Sequence, residues 1–265
     1  MKTNINGANI YYIDNGKGDP WLFLHGNPDS SAVWHEIIAH LSLAHRCIAP
    51  DLPGFGYSEI PQNFDFSLNS MSNFIECFLS NIGVMKKITL VVHDAGGFYG
   101  FAWTVNHSDK ISKIIIMNTA FDTTYQWHTL ARLWRIPIVG EIIQTLTNQW
   151  AFKRELKRSS RKLSDQQIEQ TYKRITPSMK KAILKLYRAM DPLLLEGWDT
   201  QLRTQTVAIP KLVLWGRCDP YIPEKFAHSF GVATVKIYDQ IGHWTPIEAI
   251  TEVVQDIDAF IIDKE

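Results

Sequence analysis

The sequence predicts an α/β protein: a mostly parallel sheet with helices on both faces and a helical insertion. Three observations carry that prediction. Short apolar runs rich in β-branched residues alternate with stretches of helical spacing over most of the chain. One such run, residues 88–92, stops at His93 and Asp94 and passes through Ala95-Gly96-Gly97 into a helix-like stretch at 98–106. From about residue 121 to 206 the alternation ceases and every signal is helical, after which sheet-like runs resume.

Residues 9–14 read as a strand, 15–19 as a glycine-containing turn and 21–24 as a short buried strand, the two strands forming an antiparallel hairpin that opens the sheet. His25-Gly26-Asn27-Pro28 follows at a strand's carboxyl end, where open α/β sheets place their ligands. Ser31 caps a helix to about residue 43, and a strand at 47–50 closes into the loop 51–58. Helical spacing at 68–82 precedes the strand at 88–93, and another strand follows at 111–117. After the insertion come strands at 210–216 and 234–238 and a closing amphipathic helix at 247–262. The expected organisation is a core in two parts, residues 1–120 and 207–265, with a helical cap at 121–206. A segment inserted between two strands of one sheet sits over its carboxyl edge, where it would wall a substrate pocket.

Composition narrows the function classes. With 27 basic and 27 acidic residues, there is no global charge to recommend nucleic acid or an acidic membrane as partner. Cys47, Cys77 and Cys218 are far apart and form no C-x-x-C, which points to a reducing compartment and away from a disulfide framework or zinc site. The first twelve residues lack the apolar core of a signal peptide and no stretch approaches a membrane span, so a cytoplasmic location is the expectation. One region departs from the balance: residues 150–188 hold twelve Lys and Arg against three Asp and Glu. That excess reads either as a solvated helix face or as attraction for an anionic substrate, partner or surface.

Asp94 stands at the apex of the abrupt strand-to-helix turn, with small residues after it where backbone and helix must approach closely. It reads as a carboxylate nucleophile or, more simply, as a helix N-cap. The layout resembles the nucleophile elbow of the α/β-hydrolase fold, usually G-x-S-x-G, with Asp94 in place of serine and Val92 in place of the first glycine. That resemblance extends over the whole chain, and it implies the rest of a triad. His243, in Gly242-His243-Trp244 between the last strand and the last helix, takes the place of the general base. Asp219, after the strand at 210–216, takes that of the acid that fixes the histidine's tautomer. The other position that supplies the acid holds Asn118, whose amide cannot take the role. Backbone N–H groups of Ala95 and Asn27 would form the oxyanion hole. His35 and His40 are spaced off one helix face and Gly54-Phe55-Gly56 lacks a dinucleotide fingerprint's third glycine, so neither metal nor organic cofactor is expected.

Within the superfamily the chain is similar to the aspartate-nucleophile group, the haloalkane dehalogenases and epoxide hydrolases. His-Gly-Asn-Pro at 25–28 resembles the dehalogenases, in which that asparagine and a tryptophan stabilise the departing halide. The tryptophan usually follows the nucleophile; Ala95 stands there, so Trp127, Trp134 or Trp150 would have to substitute. Gly242-His243-Trp244-Thr245 and Tyr187-Arg188-Ala189-Met190 are instead similar to epoxide hydrolases, and the resemblance makes Tyr187 a donor to the epoxide oxygen. Its expected partner is missing, leaving Tyr125, Tyr172 and His128 as candidates. The implied substrate is a small, largely apolar molecule. Two alternatives remain: a haloacetate dehalogenase, which would carry Arg at the Ala95 position, and a small-molecule receptor without turnover.

Overall fold

The computed structural model describes residues 1–263. Among them eight strands form one sheet: β1 (Lys2–Ile5), β2 (Ala8–Asn15), β3 (Pro20–Leu24), β4 (Arg46–Pro50), β5 (Ile88–His93), β6 (Ile111–Met117), β7 (Lys211–Gly216) and β8 (Thr234–Tyr238). Their order is β1-β2-β4-β3-β5-β6-β7-β8. The first two pair antiparallel and β2 lies antiparallel to β4, while every pair from β4 to β8 is parallel. Helices α1 (His35–Leu41), α2 (Leu68–Asn81) and α3 (Gly96–Asn106) alternate with the strands, and α10 (Thr245–Glu248) and α11 (Ile250–Ile262) end the described chain.

The unbroken apolar runs of the central strands follow from burial on both faces. Leu90 and Val92 of β5 join a core with Phe78 of α2 and Phe101 of α3, while Val91 between them joins a second core with Ile37 of α1 and Ile257 of α11. The same two-residue period sends Ile114 and Ile116 one way and Ile115 the other.

Between β6 and β7 lie six helices: α4 (Thr129–Arg135), α5 (Val139–Leu146), α6 (Gln149–Ser159), α7 (Asp165–Lys173), α8 (Pro177–Ala189) and α9 (Trp198–Gln205). The last of these packs against α3 rather than over the sheet's edge.

Three local expectations are corrected. Strands β2 and β3 do not form a hairpin, because β4 lies between them, antiparallel to one and parallel to the other. The hairpin is β1–β2, closed by Asn6-Gly7 with both φ angles positive (47° and 82°), the two-residue turn that Asn-Gly favours. Ser30, not Ser31, caps the helix after the His-Gly-Asn-Pro loop, its hydroxyl accepting from Ala32 N before a 3-10 turn that leads into α1. The closing helix is broken at Ala249 (φ −126°) into α10 and α11.

Gly96 shows how tightly α3 is set on the sheet: a Cβ there would stand 2.1 Å from the carbonyl oxygen of Leu24. Gly96→Ala must push α3 off β3, and we expect a loss of about 1–3 kcal/mol of stability, read as a lower urea midpoint. An unchanged midpoint would mean that α3 can shift freely.

Candidate active site

The apolar run of β5 ends where the chain must reverse into α3, and the reversal leaves Asp94 at φ 47°. A non-glycine residue pays for that region of backbone space with strain, so it persists only where the surroundings hold it. They do so closely. Asp94 N donates to Asn118 O (3.2 Å), Thr119 Oγ1 donates to Asp94 O (2.7 Å), and a Cβ on Gly26 would lie 2.3 Å from the Asp94 Cβ. The carboxylate therefore stands at the carboxyl edge of the sheet.

His243 comes to it from the loop between β8 and α10. Its Nε2 is 3.5 Å from Asp94 Oδ2, and its Nδ1 lies 2.7 Å from Asp219 Oδ2. Asp219 Oδ1 accepts the backbone N–H groups of Tyr221 (2.7 Å) and Ile222 (3.1 Å), so the acid is held by its own turn. The structure thus brings Asp94, His243 and Asp219 into one buried line. The Asn27 N–H donates to Asp94 Oδ1 (2.7 Å), so one carboxylate oxygen is held by a backbone donor and the other faces the imidazole. Ala95 begins the turn into α3 and is buried beside them.

Burial alone would lower the pKa of His243, but the charge and hydrogen bond of Asp219, joined by those of Asp94, raise it well above an ordinary histidine. Burial likewise works to raise that of Asp94, and the His243 hydrogen bond and charge outweigh it and hold the group below the usual carboxylate range. Both shifts favour the charged forms, an imidazolium between two carboxylates. Neutralising Asp94 would remove one anion and lower the pKa of His243.

Over this line lies a cavity of about 250 Å³, walled on the core side by Asn27, Phe98 and His243 and roofed by α4, α5, α6 and α8. Tyr187 of α8 is buried there, its ring packed by Trp127 (4.8 Å between centroids) and Trp134 (5.1 Å). Its hydroxyl accepts from Asn27 Nδ2 (3.2 Å), which leaves the Tyr187 proton free to point into the cavity. Burial, then the Asp94 charge, push the Tyr187 pKa well up, so the phenol stays protonated. His128 caps α4 by accepting from Ala131 N through Nδ1 (3.3 Å), and burial pulls its pKa down to about 4. The neutral ring then carries its proton on Nε2.

Other expectations are corrected here. Trp127 lines the cavity with its ring, but its indole N–H donates to Met190 O (3.1 Å) and offers a leaving group no donor. Trp150 is 68% exposed, away from the cavity. Of the three candidate tryptophans, Trp134 lines the cavity with a buried N–H that has no partner among the described residues. Tyr125 spends its hydroxyl on Tyr221 O (3.4 Å).

Several positioning residues escaped the sequence. Asn118 Nδ2 donates to Asp219 Oδ2 (2.8 Å) while its Oδ1 accepts from Gly216 N (3.0 Å), so the amide that cannot be the acid fixes the acid in place. His93, pulled down to about 4 chiefly by burial, donates through Nε2 to the carbonyl of His243 (2.9 Å). Glu248 gathers the backbone N–H groups of Gly242, Trp244, Arg161 and Lys162, stapling the histidine loop to the segment after α6. Their one sequence signal was place: Asn118 ends a core strand, His93 precedes the apex, and Glu248 follows the histidine by five residues.

The comparisons agree with this architecture. A family model described as alpha/beta hydrolase fold matches residues 19–250. A cis-3-alkyl-4-alkyloxetan-2-one decarboxylase of Shewanella oneidensis is 27% identical over 98% of this chain and 87% of its own length. Epoxide hydrolase 3 of Xenopus tropicalis is 25% identical over 98% of this chain and 77% of that protein. The solved structure of an ancestral haloalkane dehalogenase superposes with a TM-score of 0.78 at 24% identity, covering 98% of this chain and 99% of that one. Among the described residues no cluster of His, Cys, Asp or Glu could hold a metal, and no helix is long and apolar enough to cross a membrane.

Because two anions hold the charge on His243, removing one must release it. Asp94→Asn, a neutral mimic of an ester, should lower the His243 pKa, measured by ring-nitrogen NMR titration. An unchanged titration would show that Asp94 does not set the charge of the histidine.

Proposed function

The chain belongs to the α/β-hydrolase fold family, and from that premise we propose that it opens a strained or activated C–O bond of a small, largely apolar substrate through an ester on Asp94. The single observation that carries this reading is the Tyr187 hydroxyl, held by Asn27 with its proton free in the Asp94 cavity. An epoxide seated between them would meet a nucleophile on carbon and a donor on oxygen.

In this reading Asp94 Oδ2 attacks a ring carbon and the C–O electrons go to the oxygen, which takes the Tyr187 proton. The Asp94 carbonyl oxygen, Oδ1, keeps its hydrogen bond from Asn27 N–H. His243 loses its proton as its anionic neighbour disappears, and that proton restores the Tyr187 phenol, whose own proton now sits on the new hydroxyl. The neutral imidazole, oriented by Asp219, then takes a proton from water as the oxygen attacks the ester carbonyl carbon. Asn27 N–H stabilises the charge that develops on Oδ1. The diol leaves, and Asp94 and the imidazolium are restored. The residues of the helical segment act as a cap that excludes bulk water. Trp134 N–H and the His128 ring are further donors beside Tyr187. Asn27 with Trp134 also favours a second reading, departure of a halide. A cis-dialkyl oxetanone, the compound named for one relative, belongs in the same substrate panel; diol, halide ion and alkene with carbon dioxide are separable products.

The covalent step is testable in His243→Ala. With an accepted substrate the variant should accumulate an adduct that intact-protein mass spectrometry detects and digestion maps to Asp94, because the ester forms and is not released. In labelled water one wild-type turnover should leave the label in the Asp94 carboxylate. Label in the first-turnover product with no adduct would assign Asp94 as a base instead. Tyr187→Phe should lower kcat for an epoxide by about 10²–10⁴ while leaving halide release from a bromoalkane less affected; equal losses would reject the role of Tyr187 as the proton donor.

A further inference from the structure

The roof of the cavity has an outer face that the reaction does not use. Ile142 and Leu146 stand four residues apart on one face of α5, and both are exposed, as are Ile138 just ahead of that helix and Trp150 at the start of α6. Their exposures run from 52% for Ile142 to 73% for Ile138, too high for residues that merely edge a core. Ile138 sits at φ 70°, a strained region for a β-branched side chain, immediately ahead of the helix. Large apolar side chains scattered singly need no explanation, but a ridge on one helix does.

The charges around the ridge say what it fits. Helix α8 lies beside α5, joined to it by Arg188 on Glu141 (2.7 Å) and by Lys180 donating to Gln144 O (2.5 Å). Every acid of this region is already matched: Glu141 by Arg188, Glu155 by Arg158, Asp165 by Lys153 and Lys157, and Glu169 by Lys173. Arg154, Lys181 and Lys185 are exposed and have no acidic partner among the described residues, Arg154 lying over the Trp150 ring at 5.6 Å. In a chain with no net charge, the exposed apolar residues thus have one unmatched cation over Trp150 and two more on α8, the helix packed beside α5. That is the pattern of a surface that enters the headgroup region of an anionic bilayer, apolar side chains into the acyl boundary and cations onto the lipid phosphates. Gln144 and Thr147 at the end of α5 and Ala151 of α6 line the cavity beneath, so the ridge lies on the far side of its roof.

We propose that the outer face of α5 and the start of α6 dock the protein on an anionic lipid surface, where a sparingly water-soluble substrate would be concentrated. The docking itself does not depend on which bond the site opens.

The test is co-sedimentation of the full chain with vesicles of phosphatidylcholine containing phosphatidylglycerol, against vesicles of phosphatidylcholine alone. Binding should favour the anionic vesicles by about tenfold or more at low salt and fall as salt is raised. Leu146→Glu and Lys181→Glu/Lys185→Glu should each lower the partition by about tenfold, with turnover of a water-soluble substrate unchanged. Brominated lipid should quench tryptophan emission in the wild type and lose that effect in Trp150→Phe. No binding, equal binding to both vesicles, or variants that bind like the wild type would overturn the proposal. So would a dimer in light scattering that Leu146→Glu converts to monomer, since a second copy would then be what covers the ridge.

Discussion

The structure depends on one steric constraint, the close approach of three backbone segments around Asp94. A carboxylate can stand at the apex of a strand-to-helix turn only if the helix after it and the loop beside it come within contact distance. Both do so through glycine: Gly26 leaves room for the Asp94 side chain itself, and Gly96 leaves room for the carbonyl of Leu24. Gly97 faces Thr119 at the same range, and Thr119 in turn binds the Asp94 carbonyl. Because each glycine admits a different neighbour, the strain at Asp94 is held from several sides at once. Precise placement of the carboxylate is the return on that strain.

Electrostatics completes what packing begins. Charged groups this deeply buried are tolerable only when paired and hydrogen-bonded, and here the pairing forms a chain from Asp94 through His243 to Asp219 and Asn118. The chain crosses elements far apart in sequence, so the loops that carry it need anchors of their own. His93 and Ser159 bind the backbone of His243, and Glu248 ties the neighbouring N–H groups to the segment after α6. The roof and the histidine loop are thus one hydrogen-bonded unit, and a disturbance of the helical segment would be felt at the imidazole. Its inner surface is aromatic and apolar, its outer surface carries the unmatched cations, and the same few helices supply both.

The sequence by itself pointed to strands β2 to β8, the helical segment between β6 and β7, and the meeting of Asp94, His243 and Asp219, but not to β1. The strands, the helices and the sharp turn at Asp94 rest on local signals, apolar periods and glycines written in neighbouring residues, whereas the meeting of the three side chains rests on the resemblance to the α/β-hydrolase fold. Only the tertiary structure decided that β4 separates β2 from β3, that Asn118 steadies the acid, and that Trp134 rather than Trp127 presents a free N–H. Each of those outcomes is a competition for partners between groups distant along the chain. Trp127 is occupied by the carbonyl of Met190, 63 residues away, and Asn118 serves Asp219 across 101 residues. A side chain's type states what it can bind; the fold alone states what reaches it first.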